Sequence, residues 1–333
     1  MAVKPLAGRL IGRAGGAQSG DLERLGWSPF FDEQLADDEA GLLPSRVDTV
    51  HRSRLTALTG AGQLDVVLPP HSDTADYAVG DWVLVDPFGH LLRRRLDRKT
   101  LLQRRGEGTR PGQLVAANID TLFIVSSCNA DFNPARLERY LALANDAGTY
   151  PVVVLTKVDA TSDGSDFERQ AAMLQRDLPV VALNARSADA APALSRWCGR
   201  GATVALVGSS GVGKSTLVNS LIGASGMPRQ QTGSVRQGDS KGRHVTTSRS
   251  LHSMSAGGWV IDTPGIRSLH LSDVGQGIDT LFAEITELAP SCKFRNCTHD
   301  HEPGCAVLAA IAAGTIDSER LVRWRKLQTE SRG

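Results

Sequence analysis

The stretch from Val204 to Thr216 restricts the fold of this chain more than any other. A short apolar run leads into Gly208, Ser209, Ser210, Gly211, Val212, Gly213, Lys214, Ser215 and Thr216, the strand, loop and helix spacing of a phosphate-binding loop. Glycines let backbone N–H groups converge on phosphate oxygens, and the helix N-terminus beyond them adds a favourable dipole. Lys214 is placed to reach the outer phosphates and Ser215 to hold Mg²⁺. The stretch therefore implies a nucleotide site in an α/β sheet, without saying which nucleotide.

Around it, the sequence from Asn118 to Leu269 alternates strand and helix, which predicts a mostly parallel sheet covered on both faces. Strands are expected at Thr121 to Ser126, Val152 to Leu155, Val180 to Leu183, Thr203 to Val207 and Trp259 to Ile261. Helices are expected at Pro134 to Ala147, Asp166 to Gln175, Ala191 to Trp197 and Ser215 to Ile222. Asn133 and Pro134 supply a cap and first turn, and Gly148 a stop. Leu251 to Met254 and Trp259 to Asp262 read as a hairpin, so one edge strand should be antiparallel. At 333 residues the chain has room for two or three domains. Residues 1–45 are Gly-rich and then acidic, a flexible extension by composition. From Arg46, the short runs Val47 to Leu58, Leu64 to Leu68 and Trp82 to Val85 have β-barrel rhythm, and a five-stranded barrel of the OB type fits 46–112. Arginines outnumber lysines 30 to 7, and eight basic residues between Arg93 and Arg110 suggest an edge that tracks phosphates. No apolar run is long enough to span a bilayer and no signal-peptide core is present, so a cytoplasmic protein without a membrane partner is expected. Nothing suggests a dimer interface, and a monomer is expected.

Two further segments belong with the phosphate loop. Asp262-Thr263-Pro264-Gly265 ends a hydrophobic strand about fifty residues later, where an Mg²⁺-organising aspartate and a γ-phosphate-sensing glycine belong. Thr156, Lys157, Val158 and Asp159 close another strand, and a carboxylate there accepts from the paired N–H donors of guanine while adenine would repel it. Asn184 and Ala185 stand where a backing for the base is usual. In ordinary Ras-like GTPases the base-reading element follows the phosphate loop; here it precedes it, so the motifs are circularly permuted.

With that order the chain resembles the RsgA (YjeQ) family, the GTPases dependent on the small ribosomal subunit, from about Arg46 to the C-terminus. The resemblance implies an OB-type barrel (46–112) that binds RNA, a permuted GTPase domain (113–272) and a zinc-binding helical module (273–333). It implies a GTPase that binds GTP and GDP, meets the small ribosomal subunit and its rRNA late in maturation, and hydrolyses GTP when docked; the alternative is a GTP-gated rRNA-binding protein in which hydrolysis is incidental. Lys241 to Thr247 resembles the family's switch stretch; Val245 departs from it, which leaves Thr247, then Thr246, as the Mg²⁺-binding threonine beside Ser215 and Asp262. Ile266 follows Gly265 where Ras-like enzymes place the glutamine that orients water, so intrinsic hydrolysis should be slow. His244 is the candidate for orienting or deprotonating that water, with an RNA contact as the other reading.

Cys292, Cys297 and Cys305 with a nearby imidazole give the compact spacing of a closed, structural tetrahedral Zn²⁺ site. His299 and His301 compete for the fourth place, and the family's Cys-x-His pattern favours His299. Beyond it, Leu321, Trp324 and Leu327 recur at helical spacing and read as core packing.

Overall fold

The computed structural model describes residues 17–104, 112–223, 249–262 and 274–332. Two short helices come first, α1 (Ala17–Arg24) and α2 (Pro29–Asp32). Part of the segment expected to be a flexible extension is therefore folded. Trp27 and Phe31 are buried against Trp82 of the barrel, with Trp27 and Trp82 edge-on at 4.8 Å. A few aromatic side chains in an acidic stretch suffice once a sequence-distant partner supplies the other half of the core.

The barrel strands are β1 (Leu43–Val50), β2 (Leu55–Thr59), β3 (Gly62–Val66), β4 (Trp82–Val85) and β5 (Leu92–Arg95). β1 pairs with β2 and β4, β2 with β3 and β4 with β5, all antiparallel. A parallel bridge from Val67 to Leu91 joins the end of β3 to the start of β5 and closes the circuit. This is the five-stranded Greek-key arrangement of the OB type. Val47, Leu55, Val66, Val83, Val85 and Leu92 fill it. The expected run Val47 to Leu58 is two strands, because the chain reverses at Arg52 and Ser53, where His51 N–H donates to Arg54 O at 2.9 Å. No Gly, Pro or Asn marks that turn. A hairpin of β6 (Leu101–Arg104) and β7 (Gln113–Ala117) follows.

The α/β part runs β8 (Thr121–Ser127), α3 (Pro134–Asp146), β9 (Tyr150–Thr156), α4 (Gly164–Ala172), β10 (Val180–Ala182), α5 (Ala190–Leu194), β11 (Thr203–Val207), α6 (Lys214–Ile222), β12 (Ser250–Ser253) and β13 (Trp259–Asp262). The expected elements fall here with their ends shifted by a few residues. The strands lie in the order β10-β9-β8-β11-β13, all parallel, with β12 antiparallel to β13. Alternate residues of β8 serve the two faces: Leu122 and Ile124 join the core that includes α3, while Phe123 and Val125 join the one that includes α5 and α6. Asn133 caps α3, its side chain accepting from Arg136 N–H at 3.0 Å.

The hairpin strand β12 is not an edge. β1 carries a bulge between Val47 and Thr49, and beyond it Thr49 pairs with Ser250. Asp48, in that bulge, accepts from Leu251 N–H at 3.3 Å. Asp262, Ser250, Thr49 and Thr56 thus stand in one cross-strand row from the α/β sheet into the barrel.

The C-terminal part holds α7 (Gly275–Leu281), α8 (Ala283–Thr286), α9 (Ala306–Ala312) and α10 (Ser318–Arg332). α7 lies so close to α3 that a Cβ on Gly277 would come well under 3.0 Å from Ala142 O. Glu138 of α3, fully buried, accepts from Arg320 Nη1 at 2.8 Å and Arg323 Nε at 2.9 Å of α10. Arg320 also donates to Glu284 at 2.7 Å and lies 4.1 Å from the Phe282 ring centroid. Leu321 and Leu327 are buried in the same core, with Trp324 packed against it.

Candidate nucleotide site and metal centre

β11 delivers the chain to Gly208 at the carboxyl edge of the sheet. Only glycine fits there: φ is +141°, and a Cβ would lie well under 3.0 Å from Val125 O on β8. Val212 is buried and pins the loop to the core, while Ser210 and Gly211 stand exposed. Gly213 precedes the first turn of α6, leaving the amides of that turn facing out of the helix end. The Lys214 ammonium crosses the loop, donating to Gly208 O at 2.6 Å and to Ser209 O. Ser215 is exposed and Thr216 half-buried. Asp262 ends β13, one strand away, in register just beyond the Ala205–Ile261 pair. Gly265, Ile266, His244, Thr246, Thr247 and the rest of the switch stretch lie outside the described residues.

The base-reading segment is tied to this loop. Thr156 is buried at the end of β9, and its Oγ1 lies 2.5 Å from Val212 O and 3.1 Å from Ser126 O. A hydroxyl carries one proton, so it serves one carbonyl at a time. Lys157 takes the left-handed conformation at φ 60°, which turns the chain into a 3₁₀ turn at Val158–Ala160 with Asp159 exposed on it. After β10, Asn184 Oδ1 accepts from Arg186 N–H at 2.9 Å, fixing its own turn. Ala185 is buried, and its carbonyl accepts from Ser220 Oγ of α6 at 2.9 Å. Base, backing and phosphate segments are therefore linked by side-chain bonds through Thr156 and Ser220. Sequence reading missed Ser220, which no motif marks.

The four expected zinc ligands converge. One donor atom from each of Cys292, Cys297, His299 and Cys305 lies within 4.8 Å of all the others. Cys292 Sγ is 3.9 Å from Cys305 Sγ and 3.6 Å from His299 Nδ1, which itself is 3.4 Å from Cys305 Sγ. Ligands about 2.3 Å from a central ion at tetrahedral angles have such separations, and three thiols with an imidazole are a soft donor set, so the residues fit Zn²⁺. Burial opposes ionisation of Cys292, but amides of Ala306 and Val307 and the neighbouring thiols outweigh it and pull its pKa down. Burial pushes Cys297 up to about 12. His299 is buried, left-handed at φ 58°, and its ring centroid is 5.5 Å from that of Trp324. His301 is exposed, with Nδ1 3.3 Å from Asp300 Oδ2, and is not among the four residues whose donor atoms converge. Glu302 clasps the loop, accepting from Thr298 N–H at 2.7 Å and Asp300 N–H at 3.0 Å.

Three of the eight basic residues expected to track phosphates are held in ion pairs. Arg94 is paired with Glu39 at 2.6 Å, Arg98 with Asp81 at 2.6 Å and Arg93 with Asp86 at 3.4 Å. Lys99 lies 5.2 Å from the Phe31 ring centroid. Arg105 and Arg110 are outside the described residues. Buried Arg46 instead links the parts: it donates to Leu25 O at 2.5 Å, to Thr203 Oγ1 at 2.8 Å and to Asn118 O at 3.3 Å. Burial brings its pKa down to about 10, against the pull of Asp120 and Asp81.

A family model described as RsgA GTPase matches residues 95–272. The small ribosomal subunit biogenesis GTPase RsgA of Mesorhizobium japonicum is 64% identical over 315 residues, covering 95% of this chain and 91% of that protein. The chain belongs to the RsgA GTPase family. It is a GTP hydrolase of that family, with the permuted motif order read from its sequence. The crystal structure of YjeQ from Thermotoga maritima shares the fold at a TM-score of 0.65 and 24% identity, covering 87% of this chain and 98% of that one. YloQ, titled a circularly permuted GTPase, does so at a TM-score of 0.61 and 23% identity, covering 89% and 97%. No helix among the described residues is long and apolar enough to cross a membrane.

Proposed function

We propose that this RsgA-family GTPase acts in small ribosomal subunit biogenesis in the cytoplasm, as a monomer that binds the subunit's rRNA and hydrolyses GTP to GDP and phosphate faster when docked. The observation that carries the reading is the meeting, at the carboxyl ends of neighbouring strands, of Thr156 to Asp159, Asn184 and Ala185, Gly208 to Thr216, and Asp262. The small-subunit part is supported by the name that the Mesorhizobium relative carries. Asp159 accepts from guanine's paired N–H donors, and Lys157 covers the base. The loop amides and Lys214 hold the phosphates, the ammonium exchanging the Gly208 and Ser209 carbonyls for phosphate oxygens. Ser215, Asp262 and Thr247 would hold Mg²⁺, and Gly265 would meet the γ-phosphate. Bound Mg²⁺ supplies charge neutralisation on the outer phosphates. His244 orients the attacking water, a task that Ile266 cannot perform. The zinc module and the barrel flank the GTPase domain and carry the contacts to the subunit.

The test is GTP turnover with and without purified small subunits, with Lys214→Ala as control and ATP as competitor. Stimulation by subunits and preference for GTP are expected. A preference for ATP, or no stimulation, refutes the reading. Subunit maturation by Lys214→Ala in cells would favour nucleotide-gated RNA binding with incidental hydrolysis.

A further inference from the structure

Ser220 lies on α6, past the residues that the phosphate-loop motif covers. Its hydroxyl has two carbonyls in reach, Ala185 O at 2.9 Å and Thr216 O of its own helix at 3.1 Å, and carries one proton. The bond to Thr216 is the back-bond open to any helical serine and holds nothing outside the helix. The bond to Ala185 crosses from α6 to the segment after β10, 35 positions earlier in the chain. Ala185, Leu217 and Leu221 share one core there, so the Ala185 carbonyl has little access to water and a lost partner is poorly replaced.

The segment that Ser220 holds stands beside the base-reading residues. β10 runs parallel to β9 with Ala182 next to Leu155, and Leu183 N–H donates to Leu155 O at 2.8 Å. Asn184 and Ala185 therefore leave the sheet next to Thr156. In the turn that follows, Arg186 N–H donates to Asn184 Oδ1 and Ser187 N–H to Asn184 O, both at 2.9 Å. Ala185 N–H, one residue earlier, has no protein acceptor among the described residues. Ala185 is 6% exposed, and a sheltered amide costs free energy until something accepts from it. Guanine offers that acceptor. Next to the paired donors that Asp159 receives, guanine carries a carbonyl oxygen, O6, where adenine carries an amine donor. An amide at that place attracts guanine and is set against a second donor by adenine.

We propose that Ser220 is a positioning residue for guanine: by holding the Ala185 carbonyl it fixes the turn whose unpaired amide donates to O6. The inference rests on the guanine reading of Asp159 given above. It adds a second point at which the base is selected, braced from the helix that carries the phosphate loop.

The test measures, on the full chain, displacement of a fluorescently labelled GDP by GDP and by 6-thioguanosine diphosphate. The sulfur analogue keeps both donors for Asp159 but puts a weak acceptor in place of O6. Ser220→Ala should weaken GDP by about 2- to 13-fold, the equivalent of about 0.5–1.5 kcal/mol. It should change the sulfur analogue little, because the contact that the hydroxyl positions is already weak there. Ser220→Thr, which keeps a hydroxyl, should restore GDP. Ser255→Ala removes a different hydroxyl bond to the same helix, to Leu221 O at 3.1 Å, and should leave the ratio of the two affinities at its wild-type value. Equal losses for the two competitors in Ser220→Ala overturn the proposal, since the hydroxyl then only braces the fold. No loss for either overturns it as well, and assigns the proton to Thr216. A wild type that binds ADP as tightly as GDP would instead remove the guanine reading on which the proposal rests.

Discussion

Replacing Glu138 with alanine should loosen the C-terminal module from the GTPase domain while leaving the nucleotide site intact. The carboxylate is fully buried and one oxygen serves two guanidinium groups, Arg320 at 2.8 Å and Arg323 at 2.9 Å. Arg323 is 28% exposed and retains Glu319 at 3.5 Å, so it can turn outward at little cost. Arg320 is 8% exposed and cannot, but it keeps Glu284 and the Leu281 carbonyl, each at 2.7 Å. Removing one partner of a buried pair costs about 3–5 kcal/mol, and the remaining carboxylate argues for about 3. That is roughly two powers of ten in the docking equilibrium. The measurement is hydrogen exchange of α10 amides in the full chain, whose protection should fall by about 100-fold while GTP affinity holds. Glu330→Ala is the control: its pair with Arg139 at 2.6 Å is about a third exposed, and its loss should cost about 1 kcal/mol or less. Glu138→Met with Arg320→Met should recover most of the loss. Unchanged α10 protection in Glu138→Ala, or an equal loss in Glu330→Ala, would refute the assignment of the seam to this network.

Gly208→Ala should weaken fluorescent GTP binding by at least about tenfold, since backbone strain of this kind alone costs about 1–3 kcal/mol and the Val125 carbonyl blocks the new methyl; affinity within a factor of two of wild type would contradict that. Prolonged chelation should release about one zinc per chain and expose the amides of α9 and α10 before those of the sheet, as read by elemental analysis and hydrogen exchange. Glu39 titrates below its ordinary value because Arg94 and the Ala36 amide hydrogen-bond its carboxylate. A depressed folded pKa contributes stability that is present above the ordinary value of 4.5 and lost as pH falls through the folded one. Wild type should thus lose Tm more steeply below about pH 4.5 than Glu39→Gln, and parallel curves would count against the pair.

What was legible in the sequence was what lies in consecutive residues or fixed spacings. The phosphate loop could be read because its geometry needs particular residues side by side, and the zinc set because three thiols crowd a short span. Spacing alone left His299 and His301 open, and only the family's Cys-x-His pattern favoured His299, the buried one of the two. Hidden features depend on partners far apart in the chain. Trp27 and Phe31 sit in a polar stretch that looks unfoldable until Trp82 is opposite them. Arg94 and Arg98 look like RNA ligands until Glu39 and Asp81 occupy them. The bond from Thr156 to Val212 crosses 56 positions and leaves no local trace.

The bulge at Asp48 lets one strand serve two bodies, closing the barrel through Leu43 to Arg46 and extending the GTPase sheet through Thr49. The barrel is thereby the lid on the sheet's open side. A GTPase domain cut free of it would present the bare backbone of β12, a template for strand addition by another copy. Unlike beads on a string, these two parts cannot be shuffled at a linker, because any exchange of the barrel must bring along a strand that fits Ser250 and a carboxylate for the Leu251 amide.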